Sequence, residues 1–550
     1  MSEPATTVAQ VVGRTVAALG VGHAFGVVGS GNFDVTNALI AAGVPFTAAR
    51  HEGGAATMAD AFARTSGQVG VLSVHQGCGL TNAMTGITEA AKSRTPLLVL
   101  AADTAGAAVR SNFRIDQAAL VTSVGAIAER VHSAHSAVAD TTRAWQRARD
   151  SRRTVVLNLP LDVQALTLDD PGELAVPPVL PLRPPAPAGV AALAARMRAA
   201  QRPVFLAGRG ARGHSEILRE IARRCGALLA TSAVAKGTFT GDAHDLGISG
   251  GFSSPLAADL ISGADLLVAW GASLTMWTLR HGRLLGSGTA VVQVDTEHEA
   301  IGVNHQVDLG VVGDVGETAR GLLALLDSVP QQGYRTPEVT ARIAAEVRFA
   351  DVPYTDVSTD RTIDPRTLSR EIAARLPAEI TLALDSGNFM GYPSAYWEVP
   401  DEQGFCFTQS FQSIGLGLAT AIGAALARPD RLPVLGTGDG GLLMAAAELE
   451  TVARLGLPML IVVYDDAAYG AEVHHFGPHS ADLSTVTFPD TDIAALAAGF
   501  GLDAATVRSA IDLTALDTWI TGPRNRPMLL DAKISSDGGA WWLAEAFRGH

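Results

Sequence analysis

Cysteine is nearly missing from this chain. Cys78, Cys225 and Cys406 are an odd number at wide spacing, which gives neither a disulfide framework nor a zinc knuckle. A reducing, cytoplasmic home is expected. Long apolar runs are missing as well: no stretch reaches the ~18 uninterrupted apolar residues of a membrane-spanning helix, so no membrane partner is expected. Basic residues are in deficit, 41 Lys+Arg against 55 Asp+Glu, and the net charge of -14 is spread without long acidic runs. Duplex DNA and anionic lipid surfaces favour basic patches, so a nucleic-acid partner is not expected either. The opening MSEPATTVAQVVGRTVAAL is an amphipathic helical pattern without a basic flank and apolar core, so neither a signal nor a transit peptide is expected.

What is present is length and apolar mass. A chain of 550 residues with 47% apolar content suggests three or four compact units rather than one core. Short β-branched or apolar runs such as VGVLSV (69–74), TPLLVLAA (95–102) and RTVVLNLP (153–160) alternate with Ala-rich segments of helical spacing. That alternation predicts α/β architecture, with doubly wound parallel sheets covered by helices on both faces. The proline-rich stretch 169–189 marks a boundary, because its prolines forbid a regular helix or central strand. A second alternating block runs from Arg202 to about Leu326, and a weaker segment at 331–362 leads to a third. The layout of the first and third blocks suggests two versions of one architecture.

Within the third block, RLPVLGTGDG is an apolar strand that runs into glycines, and a helical segment follows. Such a turn aims backbone N–H groups and a helix dipole at any anion bound there. Gly438 and Gly440 would allow close approach, and Asp439 suits an oxygen-ligated divalent cation that bridges protein and diphosphate. The strand PMLIVVYDD ends in Asp465 and Asp466, which in a parallel sheet lie on the same rim. From the residues alone, a second account stands beside this one: Gly-Asp-Gly as an ordinary turn and Asp465-Asp466 as a helix cap.

GDGG followed by VVYDDAAYGAE resembles the motif of the thiamin diphosphate enzymes, GDG and then, after a helix and a strand, a pair usually written NN. The pair here is DD. The resemblance implies thiamin diphosphate with Mg²⁺, the metal held by the side chains of Asp439 and Asp466 and the carbonyl of Ala468. Asp466 in place of Asn keeps an oxygen ligand and adds a charge. Gly387, Asn388, Gly440 and Gly441 would flank the diphosphate, with Gly438, Tyr469 and Gly470 nearby, and Ile414 would hold the cofactor bent. Glu52, in RHEGGAA, matches the glutamate that promotes the imino tautomer of the cofactor's aminopyrimidine.

Resemblance covers nearly the whole chain and points to the acetolactate synthase, benzoylformate decarboxylase and benzaldehyde lyase group, which is pyruvate oxidase-like. It implies an N-terminal pyrimidine-binding domain (1–168), a linker (169–189), a middle Rossmann-like domain (190–330), a second linker (331–360) and a diphosphate- and metal-binding domain (361–550). His75 in VHQGCG stands where benzoylformate decarboxylase has its active-site histidine, and Ser30 matches that enzyme's carboxylate-contacting serine. Asn32, Gln76, Asn112 and Gln117 are further pocket candidates. Glu472, six residues after the second acid, matches the catalytic glutamate of pyruvate decarboxylase-like members, and His474 and His475 would make a polar pocket beside it. Trp277 lies where the middle domain should reach the cleft. That loop, WGASLTMWTLRHGRLL, lacks the arginine and aspartate pattern of acetolactate synthases, so FAD is not expected.

The resemblance implies C–C bond cleavage or formation on a 2-oxo acid or 2-hydroxy ketone, in a homodimer or homotetramer where Glu52 of one subunit meets Asp439 of another. Two rivals stand beside it. One is a catalytically silent cofactor-binding paralogue, suggested by Asp466 and opposed by Glu52. The other is a nicotinamide-dependent oxidoreductase, for which no complete GxGxxG after a strand is present; GRG at 208–210 is too short.

Overall fold

The computed structural model describes residues 6–168, 176–327, 329–479, 482–538, 542–543 and 548. Buried apolar runs form three six-stranded sheets, each parallel throughout. Strands covered on both faces by helices have no solvent side, which is why these runs are continuous rather than alternating. The first sheet orders its strands Phe46–Ala48, Ala24–Gly26, Gly70–Val74, Leu97–Asp103, Thr154–Pro160, Ile127–Arg130. The third orders them Phe405–Phe407, Ile380–Leu384, Leu432–Gly438, Leu460–Asp465, Met528–Lys533, Asp503–Val507. Numbered within each domain, both read 2-1-3-4-6-5, so the first and third blocks share one topology.

The middle sheet differs. Its strands lie in the order Asp245–Ile248, Leu228–Thr231, Pro203–Ala207, Leu266–Trp270, Ala290–Asp295, Leu309–Val312, which reads 3-2-1-4-5-6, the order of dinucleotide-binding folds. At its switch point the Gly208 N–H donates to the Trp270 carbonyl at 2.9 Å and the Gly210 N–H to the Gly271 carbonyl at 3.1 Å. Gly271 has φ +59°, and a methyl there would sit 2.5 Å from the Gly210 Cα. The two turns are packed backbone to backbone.

Two segments depart from the sequence reading. Residues 169–175 of the proline-rich linker lie outside the described residues, but its end, 187–189, is the first turn of the helix Pro187–Ala199. Proline is tolerated there because the first N–H of a helix has no intrahelical acceptor. The segment 331–360, read as a linker, holds the helix Pro337–Glu346, capped by Thr336, and its Ile343 joins Tyr334 in a core with the middle sheet.

The first and third domains share a hydrophobic core. Helix Glu52–Ser66 begins where the His51 ring accepts the Gly53 N–H and ends at Gly67 in the left-handed region. It packs on helix Gly417–Ala427, and a methyl at Gly423 would fall 2.2 Å from the Met58 carbonyl oxygen. Met58, Leu418 and Ile422 are buried between them, and each such side chain contributes roughly 1.5–3 kcal/mol.

A buried ionic cluster joins all three domains. The Arg64 guanidinium, almost fully buried, donates to Asp60 and Glu89 at 2.6 and 2.8 Å, to Ser93, and to the Phe407 carbonyl. Glu89 in turn accepts the N–H groups of Ser410 and Phe411, and Arg212 of the middle domain donates to the Arg64 carbonyl. Burial alone would raise the Glu89 carboxyl, but Arg64 and those N–H groups hold it below its ordinary value. Among the described residues no helix is long and apolar enough to cross a membrane.

Candidate active site

Parallel strands deliver their carboxyl ends to one rim, and in the third domain three adjacent strands do so with the sequence's most polar turns. Strand Ile380–Leu384 ends in Asp385, Gly387 and Asn388; Leu432–Gly438 ends in Asp439; Leu460–Asp465 ends in Asp466. Asp439 is buried, and burial first, then the charges of Asp466 and Asp465, push its carboxyl up to about 8. Asp466 is pushed up to about 7 by burial and by Asp465. The buried Asp439 and the half-buried Asp466 are close enough for the second charge to raise the first carboxyl, and an all-oxygen donor set suits a hard cation such as Mg²⁺.

The glycines make room. A methyl at Gly470 would lie 2.2 Å from Asp466 Oδ2, one at Gly440 2.9 Å from the Tyr469 ring, and one at Gly441 2.5 Å from Asp385 Oδ2. Gly438 lies against Phe389, and Gly387 has φ +148°. Asn388 Oδ1 is buried and has no hydrogen-bond partner among the described residues. Past Asp466 the chain turns at Ala467, with φ +53°. The Ala467 carbonyl accepts the Phe488 N–H and the Tyr469 N–H donates to Val486. Between them, among the described residues, the Ala468 carbonyl accepts no hydrogen bond. Asp439, Asp466 and that carbonyl therefore fit a hard cation, and the glycines with Asn388 fit a diphosphate beside it. Ile414, half-buried, follows the half-buried Ser413 and precedes Gly415, whose N–H donates to Asp385.

The first domain brings together a second group. A methyl at Gly79 would sit 3.0 Å from His75 Cβ and 3.5 Å from Glu52 Oε1, so both side chains flank one bare α-carbon. Asn82 Nδ2 donates to Glu52 Oε2 at 3.0 Å. His75 pairs through Nδ1 with the Gln76 carbonyl at 2.9 Å, which leaves Nε2 toward Ser30 Oγ at 3.4 Å. Phe113 meets the His75 ring edge-on, and its carbonyl would fall 2.3 Å from a methyl at Gly77, whose φ is +64°. Asn112 beside it is exposed, and Gln76 Oε1 is buried without a partner among the described residues.

Four of these candidates have settings that the sequence did not show. Asn32 is fully buried and spent on its own turn and strand: its amide donates to Val27 and Ser73 and its oxygen accepts the Gly29 N–H. Gln117 is likewise internal, accepting from Gly77 and donating to Ala102 and Asn158. Gln117 also lines a pocket with Asp103, Arg130 and His132, whereas Asn32 is wholly internal. Trp277, half-buried, packs on Phe252 against the core at the junction of the middle and third domains. Glu472, His474 and His475 lie on the helix Gly470–Phe476, where residues three apart share a face and residues two apart do not. Glu472 can share its face with His475, not with His474, whose imidazole is pushed down by burial and pulled the other way by Asp537.

Two residues went unread in the sequence. Asp385, fully buried, accepts the N–H groups of Ser386 and Gly415 and the Thr437 hydroxyl, tying three turns of the rim together; burial pushes its carboxyl up to about 6. Glu448 accepts the N–H groups of Arg50 and His51 at 3.0 and 3.1 Å. The signal for Asp385 was an acid at the end of a buried strand; for Glu448 there was none beyond an acid in the first turn of a helix.

Family models of the thiamine pyrophosphate enzymes match three stretches: the N-terminal TPP binding domain over residues 6–120, the central domain over 190–322 and the C-terminal TPP binding domain over 385–532. A Pseudomonas aeruginosa protein named probable 2-ketoarginine decarboxylase is 30% identical, covering 84% of this chain and 83% of its own. A sulfoacetaldehyde acetyltransferase of Rhodobacter capsulatus is 28% identical over 90% of this chain and 88% of its own. An acetolactate synthase of Bacillus subtilis is 26% identical over 89% and 86%.

Proposed function

The chain belongs to the thiamine pyrophosphate enzymes, and on that premise we propose that it cleaves the bond between the carbonyl and carboxylate of a 2-oxo acid, with Mg²⁺ as the cofactor's metal. Relatives named for decarboxylase, acetyltransferase and acetolactate synthase activities support this chemistry. When bound, thiamin diphosphate supplies a nucleophilic carbon and an electron sink for the C–C bond that breaks. The observation that carries the reading is the rim of the third sheet, where Asp439, Asp466 and the open Ala468 carbonyl stand beside the unpartnered Asn388 oxygen.

The protein's part is to bind, orient and move protons. Asp439, Asp466 and Ala468 would hold the metal; Gly387, Gly438, Gly440 and Gly441 would admit the diphosphate to the backbone. Glu52, steadied by Asn82, would share a proton with the aminopyrimidine nitrogen. His75, with one nitrogen fixed by the Gln76 carbonyl and the other toward Ser30, would hold or deliver a proton at the substrate end. Glu472 and His475, which can share a helix face, would make the substrate end polar, which favours a small or polar 2-oxo acid over a bulky aromatic one. Protonation after cleavage gives an aldehyde; capture by a second carbonyl gives a ketol.

A homodimer is the assembly that this reading expects. Glu52 has no ion-pair partner among the described residues, and apolar side chains stand exposed near both groups: Phe33 and Phe113 in the first domain, Phe411, Met444 and Phe488 in the third. An isologous contact would cover them and bring Glu52 to a partner's rim. FAD is left out of this reading because the loop 270–285 lacks the arginine and aspartate pattern of acetolactate synthases.

A screen of 2-oxo acids with thiamin diphosphate and Mg²⁺, with and without an acceptor aldehyde, tests this by CO₂ release and ketol formation. CO₂ from at least one acid supports it. If neither CO₂ nor ketol appears, and the cofactor and metal leave the melting temperature unmoved, the assignment is overturned.

A further inference from the structure

The first acid of the DD pair is explained by a residue far away in sequence. Asp465 ends its strand almost fully buried, and two donors converge on its carboxylate. Lys533 Nζ reaches Oδ2 at 2.6 Å, and the Ala467 N–H reaches Oδ1 at 2.9 Å. An asparagine, the usual residue of this pair, has one accepting end and one donating end. Facing Lys533 and the Ala467 N–H together, it would leave one donor opposed to another. Aspartate is the side chain that satisfies both.

We infer that Asp465 and Lys533 are a mutually dependent positioning pair that fixes the Ala467–Ala468 turn for the metal. Ala467 sits at φ +53°, a conformation that a non-glycine residue holds only when its surroundings impose it. The Asp465 carboxylate imposes it by taking the Ala467 N–H. Lys533 in turn keeps that carboxylate from swinging toward Asp439 and Asp466, and is itself held by the Thr491 carbonyl at 2.9 Å and by Asp490 at 2.6 Å. Asp531, 3.2 Å from Nζ, is the other buried acid that Lys533 neutralises. The turn thus offers the Ala468 carbonyl, and aims Asp466, only while both partners are present.

This inference rests on the thiamin diphosphate and Mg²⁺ assignment, and the test separates the two. Mg²⁺ is titrated into protein with excess thiamin diphosphate, binding is followed by calorimetry, and the melting temperature of each variant is measured without ligand. Asp465→Asn and Lys533→Met should each raise the half-saturating Mg²⁺ concentration about tenfold or more, the loss expected for a charge-assisted hydrogen bond. Lys533→Arg, which keeps charge and donors, should change it by less than about threefold. The double variant Asp465→Asn/Lys533→Met should return to within about threefold of wild type, because a single amide then faces a single donor. A merely structural role would lower melting temperatures without this recovery. Wild-type Mg²⁺ affinity in Asp465→Asn, or additive losses in the double variant, overturns the pair. Should Lys533→Met not fold, the Asp465→Asn and double variants decide the question between them. Absence of saturable Mg²⁺ binding by the wild type instead overturns the assignment on which the pair rests.

Discussion

Glu448 holds His51. The carboxylate Oε1 accepts the His51 N–H at 3.1 Å and the Arg50 N–H at 3.0 Å, and Oε2 accepts the Thr451 hydroxyl. A third-domain side chain thereby fixes the first turn on which Glu52 stands. Since one oxygen takes both N–H groups, Glu448→Gln should keep turnover within about threefold of wild type. Glu448→Ala frees the turn and should cost on the order of a hundredfold in turnover, the effect of a misplaced catalytic group, with thiamin diphosphate binding retained. Parallel kinetics and binding titrations check both.

Glu52→Gln keeps size and the Asn82 contact but cannot share a proton with the cofactor. Product formation should fall by about 10²–10⁴-fold, while the cofactor-dependent rise in melting temperature persists. Full activity in this variant would remove Glu52 from its role.

Asp439→Ala should abolish stabilisation by thiamin diphosphate plus Mg²⁺, which for the wild type at a hundred times its Kd amounts to about 2.7 kcal/mol. Asp466→Asn keeps an oxygen for the metal and should retain most of that shift. Thermal denaturation with and without the two ligands distinguishes the variants.

Asp385 gives a pH signature. Its folded carboxyl keeps a proton up to about 6, whereas the unfolded chain releases it near 4. Between those values the folded state binds more protons, so this group's contribution is full below about pH 4 and is lost as pH rises through about 6. The stability difference between wild type and Asp385→Asn should shrink by about 3 kcal/mol over that window and stay constant above it. Denaturation midpoints from pH 4 to 8 provide the check.

Arg64→Met would strand Asp60 and Glu89 inside the three-domain junction. Breaking a buried pair from one side costs about 3–5 kcal/mol, and the variant should melt markedly earlier than wild type in apo form. An unchanged melting temperature would mean that the cluster adds nothing to stability.

What could be read in the sequence was local. Asp439 and Asp466 lie within thirty residues of one another in a strand-helix-strand unit, so spacing pointed to one rim, and the resemblance added Ala468. Alternating strands and helices likewise announced parallel sheets. What could not be read depends on partners distant along the chain. Asp385 meets Thr437, Glu448 meets His51, and Asp465 meets Lys533 only once the sheets are assembled. Nor does periodicity reveal strand order, so the shared 2-1-3-4-6-5 topology was only a layout guess. Asn32 and Gln117 looked like pocket residues because polar side chains near a glycine turn look alike in sequence, whether they face a ligand or bind their own loop.

The backbone contact between Gly210 and Gly271 has a practical consequence for anyone seeking inhibitors. The middle domain has the strand order of dinucleotide-binding folds, yet the Gly208 and Gly210 N–H groups at its switch point are spent on the carbonyls of the facing turn. A first compound set is better aimed at the rim of the third sheet, where Asp439 and Asp466 gather beside bare glycines.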